Sequence, residues 1–198
     1  DYITLDGDFT IVVEDDVPEQ DAEAEDAGGS VDEDELTGQS VGNPDDDDIG
    51  VTTSGSLGGL VSVGADEEPV FSLSLDEATL PVLESKGEAV AYAVSGDGLM
   101  LTAYVDSGEP DQDNPERVAG ELDETDRQVF TLQITDATAG DYTFTLIDQL
   151  DHEPNVPAND DDQTRSIDLS SFVRVTDEDG DYITLDGDFT IVVEDDVP

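Results

Sequence analysis

Apolar and polar residues alternate with a period of two through most of the chain beyond residue 51. VFSLSLD (70–76) has this pattern, the mark of a half-buried strand. AVAYAV (89–94), SGDG and LMLTAYV (99–105) predict a hairpin turning on Gly96, Asp97 and Gly98. QVFTLQIT (128–135) and DYTFTLIDQL (141–150) predict a second strand pair joined by DATAG, and SIDLSSFVRVT (166–176) alternates again. YITL (182–185) reads as one arm of a further hairpin that turns through Asp186–Gly187–Asp188 into FTIVV (189–193). No window carries a helical stripe, and Pro81 interrupts the short turn that DEATLPVLES (76–85) could hold. Roughly eight to ten short, evenly spaced strands predict an all-β protein, an immunoglobulin-like antiparallel β-sandwich.

Residues 19–50 break the pattern. They are acidic, contain isolated apolar positions and are punctuated by AGGS and TGQSVGNPDDDDIG. They are expected to form an acidic linker or an irregular loop, with one or two edge strands near Val31 and Leu36. The sandwich is expected over 51–198.

One word of eighteen residues, DYITLDGDFTIVVEDDVP, occurs twice, at 1–18 and at 181–198. An identity of that length marks a tandem array. On this reading 1–18 is the tail hairpin of a preceding repeat, and 181–198 is the junction hairpin that completes the module between. The chain is then a fragment of a longer protein, and the module is expected to be a monomeric unit in a line of neighbouring repeats.

Charge narrows the function. The chain carries 54 Asp and Glu against 5 Lys and Arg, a formal net charge of −49. Such a surface repels itself. It also excludes nucleic acid and anionic membranes as partners, because both require positive patches. There is no apolar run long enough to span a bilayer, so direct membrane insertion is not expected. The acids are not spread evenly, as a salt-adapted surface would have them. They cluster in VEDDVPEQDAEAED, VDEDE, NPDDDD, EPDQDNPE, NDDDQ and TDEDGD. Groups of hard oxygen ligands suit calcium, which takes about six to eight oxygens in flexible geometry. The total absence of cysteine removes disulfides and zinc–thiolate sites as alternative staples.

TDEDGDYITLDGD (176–188) is the richest stretch. Asp177, Asp179 and Asp181 stand at alternate positions, as in the first half of an EF-hand loop. The glycine falls at the fourth position instead of the sixth and no helices flank the loop, so an EF-hand is excluded. The simpler reading stands: alternating Asp in a turn aims several carboxylates at one cation. In VEDDVP (13–18 and 193–198) adjacent acids end a strand, where they repel unless a cation lies between them. The alternative for that word is an acidic edge that discourages strand-to-strand aggregation.

GSLGGLVSVGADE (55–67), VFTLQITDATAGDYTFTLIDQLDHE (129–153) and VRVTDEDGDYITLDGDFTIVVEDDVP (173–198) resemble the tandem repeats of giant type I-secreted RTX adhesins. The similarity covers most of residues 31–198. It implies a non-catalytic extender module, stiffened by calcium at or near the joints, in an extracellular, cell-surface protein of a Gram-negative bacterium that mediates attachment and biofilm formation. The calcium ligands it implies are Asp177, Asp179 and Asp181, with Asp15, Asp16, Asp195 and Asp196. The Asp6–Asp8 and Asp186–Asp188 turns are a weaker match. Neither the nonapeptide GGxGxD β-roll nor a secretion signal of that family occurs in this sequence.

Catalysis finds no footing in the sequence. The single histidine, His152, has neither a second His nor a Cys to work with, and reads as a solvated loop residue or local hydrogen-bond donor. No GxSxG or HExxH pattern occurs. The rival to a spacer is a calcium-dependent module that binds carbohydrate or another surface ligand. Such sites want exposed aromatics beside the metal, whereas Trp is absent and Phe71, Tyr92, Phe130, Tyr142 and Phe144 fall inside strand patterns and read as core.

Overall fold

The computed structural model describes residues 17–36, 49–64, 68–76, 78–108, 118–152 and 163–195. Within them the chain forms fifteen strands and two single-turn 3-10 helices. The strands are β1 (Glu19–Gln20), β2 (Gly29–Asp32), β3 (Thr52–Ser56), β4 (Val61–Ser62), β5 (Val70–Leu73), β6 (Glu84–Ser85), β7 (Glu88–Ala89), β8 (Ala91–Val94), β9 (Met100–Val105), β10 (Arg127–Asp136), β11 (Asp141–Leu146), β12 (Thr164–Asp168), β13 (Val173–Thr176), β14 (Tyr182–Thr184) and β15 (Thr190–Glu194).

The largest sheet is antiparallel, in the order β3-β11-β10-β9-β8. Its alternation is that of the sequence: Tyr142, Phe144 and Leu146 of β11 are buried while Thr143 and Thr145 are not. In β10 a register shift between Gln128 and Phe130 inserts Val129 as an extra residue, which lets Val129 and Phe130 both reach the interior. Two three-stranded sheets, β12-β15-β2 and β14-β13-β5, complete the sandwich, with β1–β4 and β6–β7 as short ribbons. A single apolar cluster draws on all three larger sheets, including Phe130 and Phe144, Val31 and Ile191, and Phe71 and Val175. Ring contacts tie the layers together: Tyr142 meets Phe189 edge-on at 4.8 Å, and Tyr92 lies 5.3 Å from Phe172.

The last third of the chain departs from the expected hairpin at Asp186–Gly187–Asp188. β14 and β15 do not pair with each other. Residues 164–194 form one long antiparallel hairpin with a bend in each arm, and its tip is at 177–181. The same register holds throughout, with Thr176 facing Tyr182, Arg174 facing Thr184, Ile167 facing Ile191 and Thr164 facing Glu194. Each arm leaves one small sheet and enters the other, as at a sandwich corner. In the outgoing arm the bend is the 3-10 turn Ser170–Phe172, whose Ser170 amide and hydroxyl both donate to Asp168 Oδ1. In the returning arm Gly187 (φ 76°) and Asp188 (φ 62°) supply left-handed backbone. Local turn chemistry made 186–188 look like a hairpin end; burial of Leu185 and Phe189 on either side makes it a corner instead.

The edge strand expected near Val31 is β2, at the edge of the β12-β15-β2 sheet. Val31 is fully buried, and β2 pairs in parallel with β15, Ser30 facing Val192 and Asp32 facing Glu194. Residues 19–36 are therefore part of the sandwich. The rest of the expected linker, 37–48, and the first copy of the repeated word up to residue 16 lie outside the described residues.

Candidate metal centres

The acidic tip of the long hairpin is the first candidate. Asp177 follows β13, and its backbone N–H donates to the carbonyl of Asp181 at 3.0 Å to close the turn. Asp177 Oδ1 accepts the amides of Gly180 (3.0 Å) and Asp181 (2.8 Å), while Gly180 has φ 105°. This turn gathers one carboxylate oxygen from each of Asp177, Asp179 and Asp181 to within 4.8 Å of one another. Asp177 is only 4 % exposed, and its Oδ2 is buried with no hydrogen-bond partner among the described residues. An ionised oxygen removed from water without a donor is costly unless a cation compensates it. An all-oxygen set with one orphaned buried ligand atom fits a hard cation such as Ca²⁺, which Asp177, Asp179 and Asp181 would hold, with water or a neighbouring group completing the shell. Beside the tip, the Arg174 guanidinium stacks 4.3 Å above the Tyr182 ring.

The remaining sequence candidates have different fates. Asp6, Asp8, Asp15, Asp16 and Asp196 lie outside the described residues. Asp186 and Asp188 join no group of three candidate ligands among the described residues. Their turn is clasped by Gln20, whose Nε2 donates to the Asp186 carbonyl (3.1 Å) and to Asp188 Oδ2 (3.2 Å), and whose Oε1 accepts the Asp186 amide (2.9 Å). Asp195 is brought to a different place, the base of the hairpin, where its amide donates to the Gln163 carbonyl.

There it meets two residues that the sequence did not single out as ligands, Glu33 and His152. Of the two readings of His152, solvated residue or hydrogen-bond donor, the first fails: its side chain is 5 % exposed and its Nε2 lies 3.3 Å from Glu33 Oε1, within hydrogen-bond reach. The amide of Leu150 donates to the same Glu33 oxygen at 2.8 Å. Burial pushes the Glu33 carboxyl above its ordinary value, against the opposing pull of His152 and of the Leu150 amide. Glu33 was indistinguishable from its neighbours in VDEDE, and no spacing along the chain links residues 33, 152 and 195.

Cations of the chain itself are concentrated elsewhere. Lys86 Nζ and Arg127 Nη1 both reach Asp148 at 2.7 Å. Arg127 also donates to Ser85 Oγ (2.7 Å) and to the Ser85 carbonyl (3.0 Å). Asp151 accepts the amides of Lys86 and Gly87, both at 2.7 Å, and so fixes the β6–β7 turn, where both residues have positive φ. This network binds 84–88 to 148–151.

No family model, no curated protein and no solved structure matches the chain. No helix among the described residues is long and apolar enough to cross a membrane.

Proposed function

We propose that the chain is a non-catalytic extender module of a long repetitive surface adhesin, made stiff by calcium. The observation that carries the reading is the Asp177–Asp179–Asp181 cluster at the hairpin tip, with its buried and unpartnered Asp177 oxygen. The repeated word supports it as well. Its described portion in the second copy, 181–195, is the returning arm of that hairpin, so that copy closes this sandwich. In an array, Asp15 and Asp16 of the preceding repeat would share a cation with the acidic loops of this module. A cation held between such carboxylates removes their repulsion and fixes the angle between modules. The burial of Phe71, Phe130, Tyr142 and Phe144, with Tyr92 partly buried, supports a spacer, while Tyr182, 48 % exposed beside the tip, is the aromatic that the carbohydrate-binding reading could use.

In this role the protein acts on no substrate, and its partners are its own neighbouring repeats. Calcium-dependent order suits export to the cell exterior, where calcium is abundant and cytosolic scarcity no longer applies. Small-angle scattering of two consecutive repeats tests the reading. The maximum dimension should shrink when EDTA removes calcium and recover when calcium is restored. A length indifferent to calcium rules out the calcium-stiffened rod.

A further inference from the structure

The parallel pairing of β2 with β15 sets Asp32 opposite Glu194, so the next residue in each segment, Glu33 and Asp195, emerges at the same edge. The segment after β11 brings His152 against both. Three stretches remote in sequence thus converge, and one potential ligand atom from each lies within 4.8 Å of the others. His152 Nε2 is 3.3 Å from Glu33 Oε1 and 4.0 Å from Asp195 Oδ1. Its Nδ1 is buried with no hydrogen-bond partner among the described residues, so the ring's polar contacts run through Nε2 toward the two carboxylates.

The Glu33 contact is a long hydrogen bond and the Asp195 contact is beyond hydrogen-bond length. A charge-assisted N–H···O⁻ bond is about 2.7–2.9 Å long. By contrast, ligands about 2.0–2.1 Å from a tetrahedral zinc ion are about 3.3 Å apart. The Glu33 distance equals that edge, and the Asp195 oxygen, at 4.0 Å, lies somewhat beyond it. Charge points the same way. Two carboxylates facing a neutral imidazole carry two negative charges, and a protonated ring still leaves one. A dication cancels the set, at a place where His152 and Glu33 are 5 % and 3 % exposed. An imidazole nitrogen selects borderline metals over calcium, which prefers oxygen alone.

We propose that Glu33, His152 and Asp195 form a structural site for one divalent transition metal of the zinc class, separate from the all-oxygen hairpin tip. The ion would staple the ends of β2 and β15 to the segment that follows β11, with a water completing four-coordination. The Leu150 amide on Glu33 Oε1 orients the carboxylate from behind, the usual role of an outer hydrogen bond at such sites. Asp195 belongs to the second copy of the repeated word.

The chain's single histidine makes the test direct. The unsubstituted protein is saturated with calcium to occupy its acidic loops, then titrated with Zn²⁺ while the nitrogen resonances of the one imidazole are followed by NMR. One equivalent should move the Nε2 signal to the metal-bound range, and Co²⁺ in its place should give the strong visible absorption of a four-coordinate site. Glu33→Gln and His152→Gln should each weaken zinc binding by roughly tenfold or more. Asp177→Asn should leave it unchanged. An imidazole signal that stays put at one equivalent, or moves only at many, overturns the proposal without recourse to any variant. Equal zinc affinity in His152→Gln does the same.

Discussion

Asp177 and Asp181 bond to each other twice across the hairpin tip. The amide of Asp177 donates to the carbonyl of Asp181 at 3.0 Å, and the amide of Asp181 donates to Asp177 Oδ1 at 2.8 Å. The turn is thus closed by one carboxylate oxygen, which leaves the other, buried and unpartnered among the described residues, for a ligand. Asn in place of Asp177 keeps an oxygen for the turn and removes the charge of the second. Asp177→Asn should melt no lower than the unsubstituted chain in EDTA and should lose most of the stabilisation that calcium confers. A variant that gains as much from calcium as the parent would make the tip a solvated turn.

Calcium itself should act on stability in a graded way. Extracellular calcium modules bind at about 10⁻⁴–10⁻³ M. At tenfold excess over its dissociation constant, one site adds about 1.4 kcal/mol, so a few sites per module decide whether it is folded at a given temperature. EDTA should lower the melting temperature and calcium should restore it, whereas equimolar magnesium should not. Restoration by high NaCl to the same extent would assign the effect to screening of the net charge of −49.

The all-β class and much of the main sheet could be read from the sequence, because β5, β11, β13 and the middle of β10 bury alternate residues and the period is local information. The hairpin tip was legible for the same reason: Asp177, Asp179 and Asp181 are close in sequence, and the turn alone gathers them. Three things were not. The corner at Leu185–Phe189 looks like a hairpin end because Gly187 and Asp188 take turn conformations at either; which it is depends on the sheet that each flank joins. The incorporation of 19–36 depends on a parallel pairing with a strand at the far end of the chain, which no local pattern signals. The Glu33–His152–Asp195 group joins both kinds of blindness, since it exists only once that pairing is made.

That pairing can be tested at Gly28, just before β2. A Cβ there would lie 1.7 Å from the backbone oxygen of Thr190, so no side chain fits without pushing β2 off β15. Gly28→Ala should therefore destabilise the module by about 1–3 kcal/mol, the range of overpacking in a well-packed interior. Urea unfolding would measure it. A chain in which residues 19–36 were only a linker would tolerate the change within about 0.5 kcal/mol, as surface substitutions usually are.

The Arg127–Asp148 pair predicts how stability responds to acid. Burial opposes ionisation of Asp148, but hydrogen bonds from Lys86, Arg127 and the Gln149 amide outweigh it and hold the carboxyl below its ordinary value. A carboxyl whose folded value is depressed contributes stability that is present above the ordinary Asp range, near pH 4, and is lost as pH falls through the folded value. Arg127→Met keeps the aliphatic stem and removes the donors to Asp148, Ser85 and Glu88. With Ser85 fully buried, the loss should cost about 2–3 kcal/mol at neutral pH, the scale of hydrogen bonds to charged groups. Below the folded value of Asp148 the pair no longer exists in either protein, so the difference between parent and variant should narrow steadily as pH drops below about 4. Melting both proteins from neutral pH down to the acid limit would show this convergence. A constant gap would mean that Arg127 acts through its contacts to Ser85 and Glu88, and that the other donors to Asp148 hold its carboxyl down without Arg127.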